Sequence, residues 1–141
     1  MEHTEIICAL ERIMRSRTAA QRNVLLQSSL HVGQPAMLRF IVAHPGCSQK
    51  QIADDAKVSP ASVAASIKRM ERAGLITRRS DTSDTRCNRV YVTKAGEQEL
   101  NFCSEGLSRI DAFITEGMSD AELEKLQTLF AKMIKNLENK D

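Results

Sequence analysis

Tryptophan is absent from this 141-residue chain, and the aromatic side chains amount to four phenylalanines and one tyrosine, Tyr91. Surfaces that dock other proteins usually rely on aromatic anchors, so this scarcity weighs against a protein-interaction module. No apolar run approaches the ~18 residues that a membrane span requires, and Met1 to Glu5 shows no basic stretch leading into an apolar one. A cytoplasmic protein without a membrane partner is expected. Three prolines, six glycines and the lack of repeats or low-complexity segments describe a continuously ordered, mainly helical chain. The histidines His3, His31 and His44 are scattered, and Cys8, Cys47, Cys87 and Cys103 include no C-x-x-C pair. Neither set fits a zinc or catalytic spacing, so the expectation is no metal, no cofactor and no enzymatic activity.

What is present is concentrated between Ser48 and Thr93. Ser48 followed by Gln51 fits a capping box, and Ile52, Ala53 and Ala56 continue at helical spacing. Val58 reads as an apolar plug between this helix and the next. Ser59 caps the second helix and Pro60 takes its first position, where a missing N–H does no harm. Val63, Ile67 and Met70 then share one face, while Ser62, Ser66, Lys68, Arg69 and Arg72 spread over the rest. Gly74 stands where a left-handed residue would end the helix. A strand begins at Leu75 and Ile76, and Asn88 to Thr93 returns with Val90 and Val92 on one face, which describes a β-hairpin with a long polar tip, Asp81 to Thr85. Two short helices followed by a hairpin form a winged helix-turn-helix, whose second helix suits the major groove of duplex DNA.

Charge supports that reading. From Ser59 to Thr93 seven Lys or Arg face three Asp or Glu, a local balance of +4, whereas the whole chain carries only +2. Basic character is therefore gathered where nucleic acid would lie. Arg78, Arg79, Arg86 and Arg89 crowd the hairpin, where guanidinium groups suit phosphates or a narrow minor groove.

At these residues the sequence resembles the MarR family of bacterial transcription regulators. The resemblance rests on Met70-Glu71, Gly74-Leu75-Ile76-Thr77-Arg78, Asp81-Thr82-Ser83-Asp84-Thr85-Arg86 and Thr93-Lys94-Ala95-Gly96, preceded by Val32 to Leu38, which is similar to the family's second helix. It implies a dimeric winged helix-turn-helix that binds promoter DNA, commonly relieved by a small ligand or by oxidation. Some family members sense oxidants through a cysteine near the N-terminus supported by tyrosines. Cys8 lies in that region, but the only tyrosine belongs to the hairpin. Cys87, beside Arg86, is the other candidate redox residue, and exposure on the wing suits an inert thiol equally.

The ends of the chain read as dimerisation helices. Glu5 to about Leu30 carries Ile6, Ala9, Leu10, Ile13 and Met14, then Val24 and Leu25, as one long amphipathic helix. Ala95 to about Glu116 forms a second, and a third begins at Ser119, capped through Glu122, with Leu123, Leu126, Phe130, Met133 and Leu137 along it. These faces exceed what one small winged domain can cover, so the fold expected is mainly α (α+β), a single domain over 1–141. A DNA-binding lobe spans about 32–95, and helical dimerisation regions span about 1–30 and 96–141. Two-fold symmetry then sets two recognition helices about one DNA turn apart.

Within the lobe, Ser62, Ser66 and Arg69 are the candidate base readers. Lys68 and Arg72 are candidate phosphate contacts, as is Gln49 near a helix N-terminus. Ser59, Arg79 and Arg86 complete the DNA-binding set, with Asp84 placed to hold Arg86. The function these residues suggest is a sequence-specific regulator, a repressor that binds a palindromic operator as a homodimer and is released by a small-molecule effector in the cleft between terminal helices and DNA-binding lobe. The alternatives are a redox-sensing regulator of the same fold and a winged-helix protein-interaction module without DNA binding.

Overall fold

Local capping signals set most element boundaries in the computed structural model, which describes residues 2–84 and 87–140. The order is α1 (His3–Leu26), α2 (Gln34–Ala43), β1 (Cys47–Ser48), α3 (Gln49–Ala56), α4 (Pro60–Arg72), β2 (Ile76–Ser80), β3 (Asn88–Val92), α5 (Lys94–Ile114) and α6 (Asp120–Glu138). The fold is mainly α with a small β-wing, a winged helix-turn-helix with long terminal helices. At α3, Ser48 Oγ accepts from the Gln51 N–H at 3.2 Å and Gln51 Oε1 accepts from the Ser48 N–H at 2.9 Å. Ser119 and Glu122 make the same reciprocal pair at α6. Both boxes satisfy N–H groups that a helix start leaves open. Gly74 has φ +76°, and the N–H groups of Gly74 and Leu75 donate back to the carbonyls of Glu71 and Met70 at 3.0 and 2.9 Å. This double closure ends α4 with a residue that has no Cβ to strain.

Several expectations need correction. The first helix runs from His3 to Leu26 rather than from Glu5 to Leu30. Ser28 Oγ donates to the Leu25 carbonyl at 2.8 Å and accepts from the Leu30 N–H at 3.1 Å. It thereby captures groups that a further helical turn would use, and Leu30 turns into the core instead. Val58 is no plug: it is 41% exposed. The gap between α3 and α4 is closed by backbone, with Lys57 at φ 53° and the Val58 N–H donating to the Ala53 carbonyl at 3.3 Å. Leu75 is buried but precedes the strand, and Thr93 caps α5 instead of extending β3. The sheet has a third strand: Cys47 pairs with Val90 and Ser48 with Arg89, giving the antiparallel order β1-β3-β2.

The core lies inside the lobe. Leu38, Ile41, Ile52, Val63, Ile67, Met70, Ile76 and Val90 are all below 2% exposed, so α2, α3, α4 and the inner face of the sheet share one apolar centre. The first half of α5 joins it through Leu100 and Cys103. The start of α5 is also welded to the end of α4. Thr93 Oγ1 donates to the Gly74 carbonyl at 2.6 Å, the Thr93 N–H donates to the Leu75 carbonyl at 3.0 Å, and Thr93 Oγ1 accepts from the Gly96 N–H at 3.1 Å. Gly96 fits against the Leu75 carbonyl, where a Cβ would overlap the oxygen.

Beyond the lobe burial falls away. Neither α1 nor α6 contains a buried residue. Helix α1 lies along α5, where Gly106 allows close approach to Val24 and Arg17 forms a forked ion pair with Asp111 at 2.7 and 3.1 Å. Apolar groups nevertheless face outward, with Phe113 76% and Leu137 74% exposed. An open groove of about 510 Å³ runs between the two helices, walled by Ala9, Ile13, Ala20, Ile110 and Phe113. Contiguous exposed apolar surface of this kind is uncommon on a protein that acts alone.

Candidate nucleic-acid interface

The two sides of α4 have opposite character. Val63, Ile67 and Met70 are fully buried, while Ser62, Lys68, Arg69 and Arg72 are exposed and Ser66 is half-buried. The exposed polar and basic face is therefore fixed by the core behind it. At the N-terminus, Ser59 Oγ accepts from the Ser62 N–H at 3.2 Å and donates to Ser62 Oγ at 2.9 Å. The Ser62 hydroxyl accepts that bond, and its own proton is not used in it. Arg69 and Arg72 lie in the last turn, where the helix dipole favours cations. Gln49 occupies the first position of α3, half-buried beside its cap.

The wing is tied to this helix and to itself by carboxylates. Arg78 donates from Nε and Nη2 to the two carboxylate oxygens of Glu71 at 2.7 and 2.9 Å, joining β2 to the end of α4. That pairing holds the Glu71 carboxyl below its usual pKa. Asp81 accepts from the Ser83 N–H at 2.9 Å, the Ser83 hydroxyl at 2.7 Å and the Arg89 guanidinium at 2.7 and 3.0 Å. Those donors, the Ser83 backbone foremost, drive its pKa well below the ordinary carboxylate range. Arg78 and Arg89 are thus engaged inside the protein, contrary to the grouping of all four hairpin arginines as open to phosphate. Arg79 is exposed and lies over the Tyr91 ring. Arg86, and with it the pairing to Asp84, lies outside the described residues.

Of the cysteines, Cys8 is exposed, Cys87 half-buried, and Cys47 and Cys103 buried. Burial pushes the Cys47 thiol up, away from the reactive thiolate. Among the described residues no group of three or more His, Cys, Asp or Glu is placed to hold a metal ion, and no helix is long and apolar enough to cross a membrane.

Comparison with known proteins agrees with this geometry, since the pattern described as MarR family matches residues 25–88, from the end of α1 to the first residue of β3. Over this segment the chain is similar to the MarR family. Similar solved structures include a MarR family transcription regulator, 25% identical with a TM-score of 0.77 over 98% of this chain and 93% of that one. The transcriptional regulator SlyA is 27% identical, with a TM-score of 0.68 over 94% and 93% of the two chains. A mutant of Staphylococcus aureus MepR bound to an oligodeoxyribonucleotide shares the fold, with 21% identity and a TM-score of 0.73 over 97% and 99%. The solved structures at 25% and 27% identity are both transcription regulators.

Sequence reasoning missed the Glu71–Arg78 and Asp81–Arg89 pairs and the stack of Arg79 on Tyr91. The hairpin register contained the signal for the last of these. Pairing Ser80 with Asn88 sets Arg79 opposite Arg89 and brings Tyr91 into reach as a diagonal neighbour.

Proposed function

We propose that this protein is a transcriptional repressor that binds a palindromic operator as a homodimer and is released by a small-molecule effector. The observation that carries the reading is the two-sided α4: a fully buried apolar face pins a polar and basic face outward, which is what groove docking requires. In this reading Ser62, Ser66 and Arg69 meet base edges, while Gln49, Ser59, Lys68, Arg72, Arg79 and Arg86 meet the backbone or minor groove, with Asp84 supporting Arg86. The lobe of about 32–95 reads DNA, and regions 1–30 and 96–141 join the two copies. The outward apolar faces of α1, α5 and α6 support that division.

A cavity of about 210 Å³ where α1, α2 and α5 meet, lined by Val24, Leu25, Val32, Pro35, Arg39 and Leu107, supports an effector site at the junction of the two regions. Such an effector must favour the DNA-incompetent dimer, because only a difference in affinity between states moves the equilibrium. The test is an anisotropy titration and footprint on duplex DNA from upstream of the chain's own coding sequence, alongside sedimentation at micromolar concentration. A dimer and two protected half-sites about one turn apart, ~34 to 36 Å, are expected. A full-length monomer, or equal affinity for upstream and random duplexes, would sink the proposal.

A further inference from the structure

Arg79 is restrained differently from the arginines around it. In the hairpin register it lies directly opposite Arg89, and Thr77 lies opposite Tyr91. Two like charges facing each other across strands repel unless something intervenes. Arg89 is neutralised by Asp81 and also donates from Nη1 to the Gly46 carbonyl at 3.2 Å. Arg79 instead sets its guanidinium carbon 4.7 Å from the centroid of the Tyr91 ring. Among the described residues no carboxylate forms an ion pair with it.

The ring that carries Arg79 is itself confined. Gly46 has φ +79°, and a Cβ there would stand 2.9 Å from the Tyr91 phenol oxygen. The phenol end therefore occupies space that a residue without a side chain leaves open. Glycine also takes the left-handed backbone conformation without strain.

The difference between the two kinds of restraint has a chemical consequence. A carboxylate takes two of the five in-plane N–H donors of a guanidinium and offsets its charge, as Glu71 does to Arg78 and Asp81 to Arg89. An aromatic face covers only the flat side of the guanidinium, so the charge and the N–H edges stay available. We infer that Tyr91 is a positioning residue for nucleic-acid binding: seated over Gly46, its ring holds Arg79 ready to take a DNA phosphate. Rotamer freedom that Arg79 would otherwise lose on binding is restricted beforehand, which raises affinity without adding a contact. The inference rests on the DNA-binding reading and adds a residue that touches no DNA itself.

The experiment is a double-mutant cycle with Tyr91→Leu, Tyr91→Phe and Arg79→Ala in the full-length protein. Affinity is read by anisotropy on upstream and random duplexes over a range of salt, and the stack is read separately by NMR. The ring current should move the Arg79 δ-methylene protons upfield in wild type and Y91F, and the shift should vanish in Y91L. Y91L should weaken binding about twofold to fivefold on both duplexes, the range expected of an exposed cation–π contact, while Y91F restores it. R79A should lower the salt slope by about 0.9, as loss of one phosphate contact predicts, and Y91L should have no further effect in the R79A background. Y91L binding as tightly as wild type, or losing as much without Arg79 as with it, overturns the positioning role while leaving the regulator reading intact. Wild-type protein that binds neither duplex at low salt overturns the regulator reading, and the inference with it.

Discussion

Replacing Gly96 with alanine tests the weld between α4 and α5. Gly96 sits in the first turn of α5, and its backbone is not left-handed, so alanine faces no φ penalty there. Alanine should even help by up to about 1 kcal/mol, the usual gain over glycine in a helix. Space decides against it. The new methyl would overlap the Leu75 carbonyl oxygen and stand 2.9 Å from Val92 Cγ1. Because the oxygen belongs to backbone, no rotamer change relieves the contact, and the first turn of α5 must lift away. Lifting stretches the bonds from the Thr93 N–H to the Leu75 carbonyl and from Thr93 Oγ1 to the Gly74 carbonyl, now 3.0 and 2.6 Å. Two hydrogen bonds at about 1 kcal/mol each, with an overpacking term of about 1 to 3 kcal/mol, outweigh the helix gain and leave a net loss of about 2 to 4 kcal/mol. For a domain of this size Tm should fall by roughly 6 to 12 °C. Circular dichroism melts at fixed protein concentration measure it, with exposed Lys94→Ala in the same turn as a control expected within about 0.5 kcal/mol of wild type. A G96A protein that melts at or above wild type would refute the argument that contact with the Leu75 carbonyl, rather than helix propensity, decides this position.

Ile67→Ala, at a fully buried site behind the exposed face of α4, should lose about 2 to 5 kcal/mol in denaturant titrations, and a loss under 1 kcal/mol would contradict the packing described. Glu71, Asp81, Asp111 and Glu122 all have carboxyl pKa values lowered by their partners. Their contribution is therefore complete above the ordinary carboxylate range, ~4, and fades as pH drops through the lowered folded values. Melting temperature should hold from neutral pH to about 5 and fall below about 4, less steeply in Glu71→Gln, and a Tm that rises on acidification would reverse the sign argued. Arg86→Ala should weaken binding to every duplex by about 1 to 2 kcal/mol, whereas Arg69→Ala and Ser66→Ala should alter base preference at particular operator positions. Equal losses on upstream and random DNA for all three would show the readers to be misassigned.

What could be read from sequence was what is decided within a few residues. The Ser48–Gln51 and Ser119–Glu122 boxes, Pro60 after Ser59, and Gly74 as the stop of α4 each span five positions or fewer, and each element begins or ends where they place it. The buried triplet Val63, Ile67 and Met70 was equally legible, because helical spacing alone puts those residues on one face. The short strand β1 was not: two residues carry no period, and Cys47–Ser48 pairs only because β3 passes beside it. The stop at Ser28 lacked the glycine or proline that usually announces one, and a serine hydroxyl supplied the turn instead. The wing's charge economy was hidden for another reason. Arg78 and Arg89 look as available as Arg79 in a string of letters, and only the fold reveals that two of the three are matched by carboxylates seven and eight residues away.

If α6 joins two copies as proposed, its outward apolar face links the protein's action to its copy number. A helix with no buried residue of its own gains cover only as fast as a second chain arrives, so below the dimer Kd the amount of paired protein varies as the square of the chain concentration. Each tenfold fall in concentration also takes about 1.4 kcal/mol from the drive to associate. Occupancy of the proposed two-half-site operator would then respond to dilution more steeply than a monomer's, so that modest changes in synthesis or growth rate would translate into a sharp threshold.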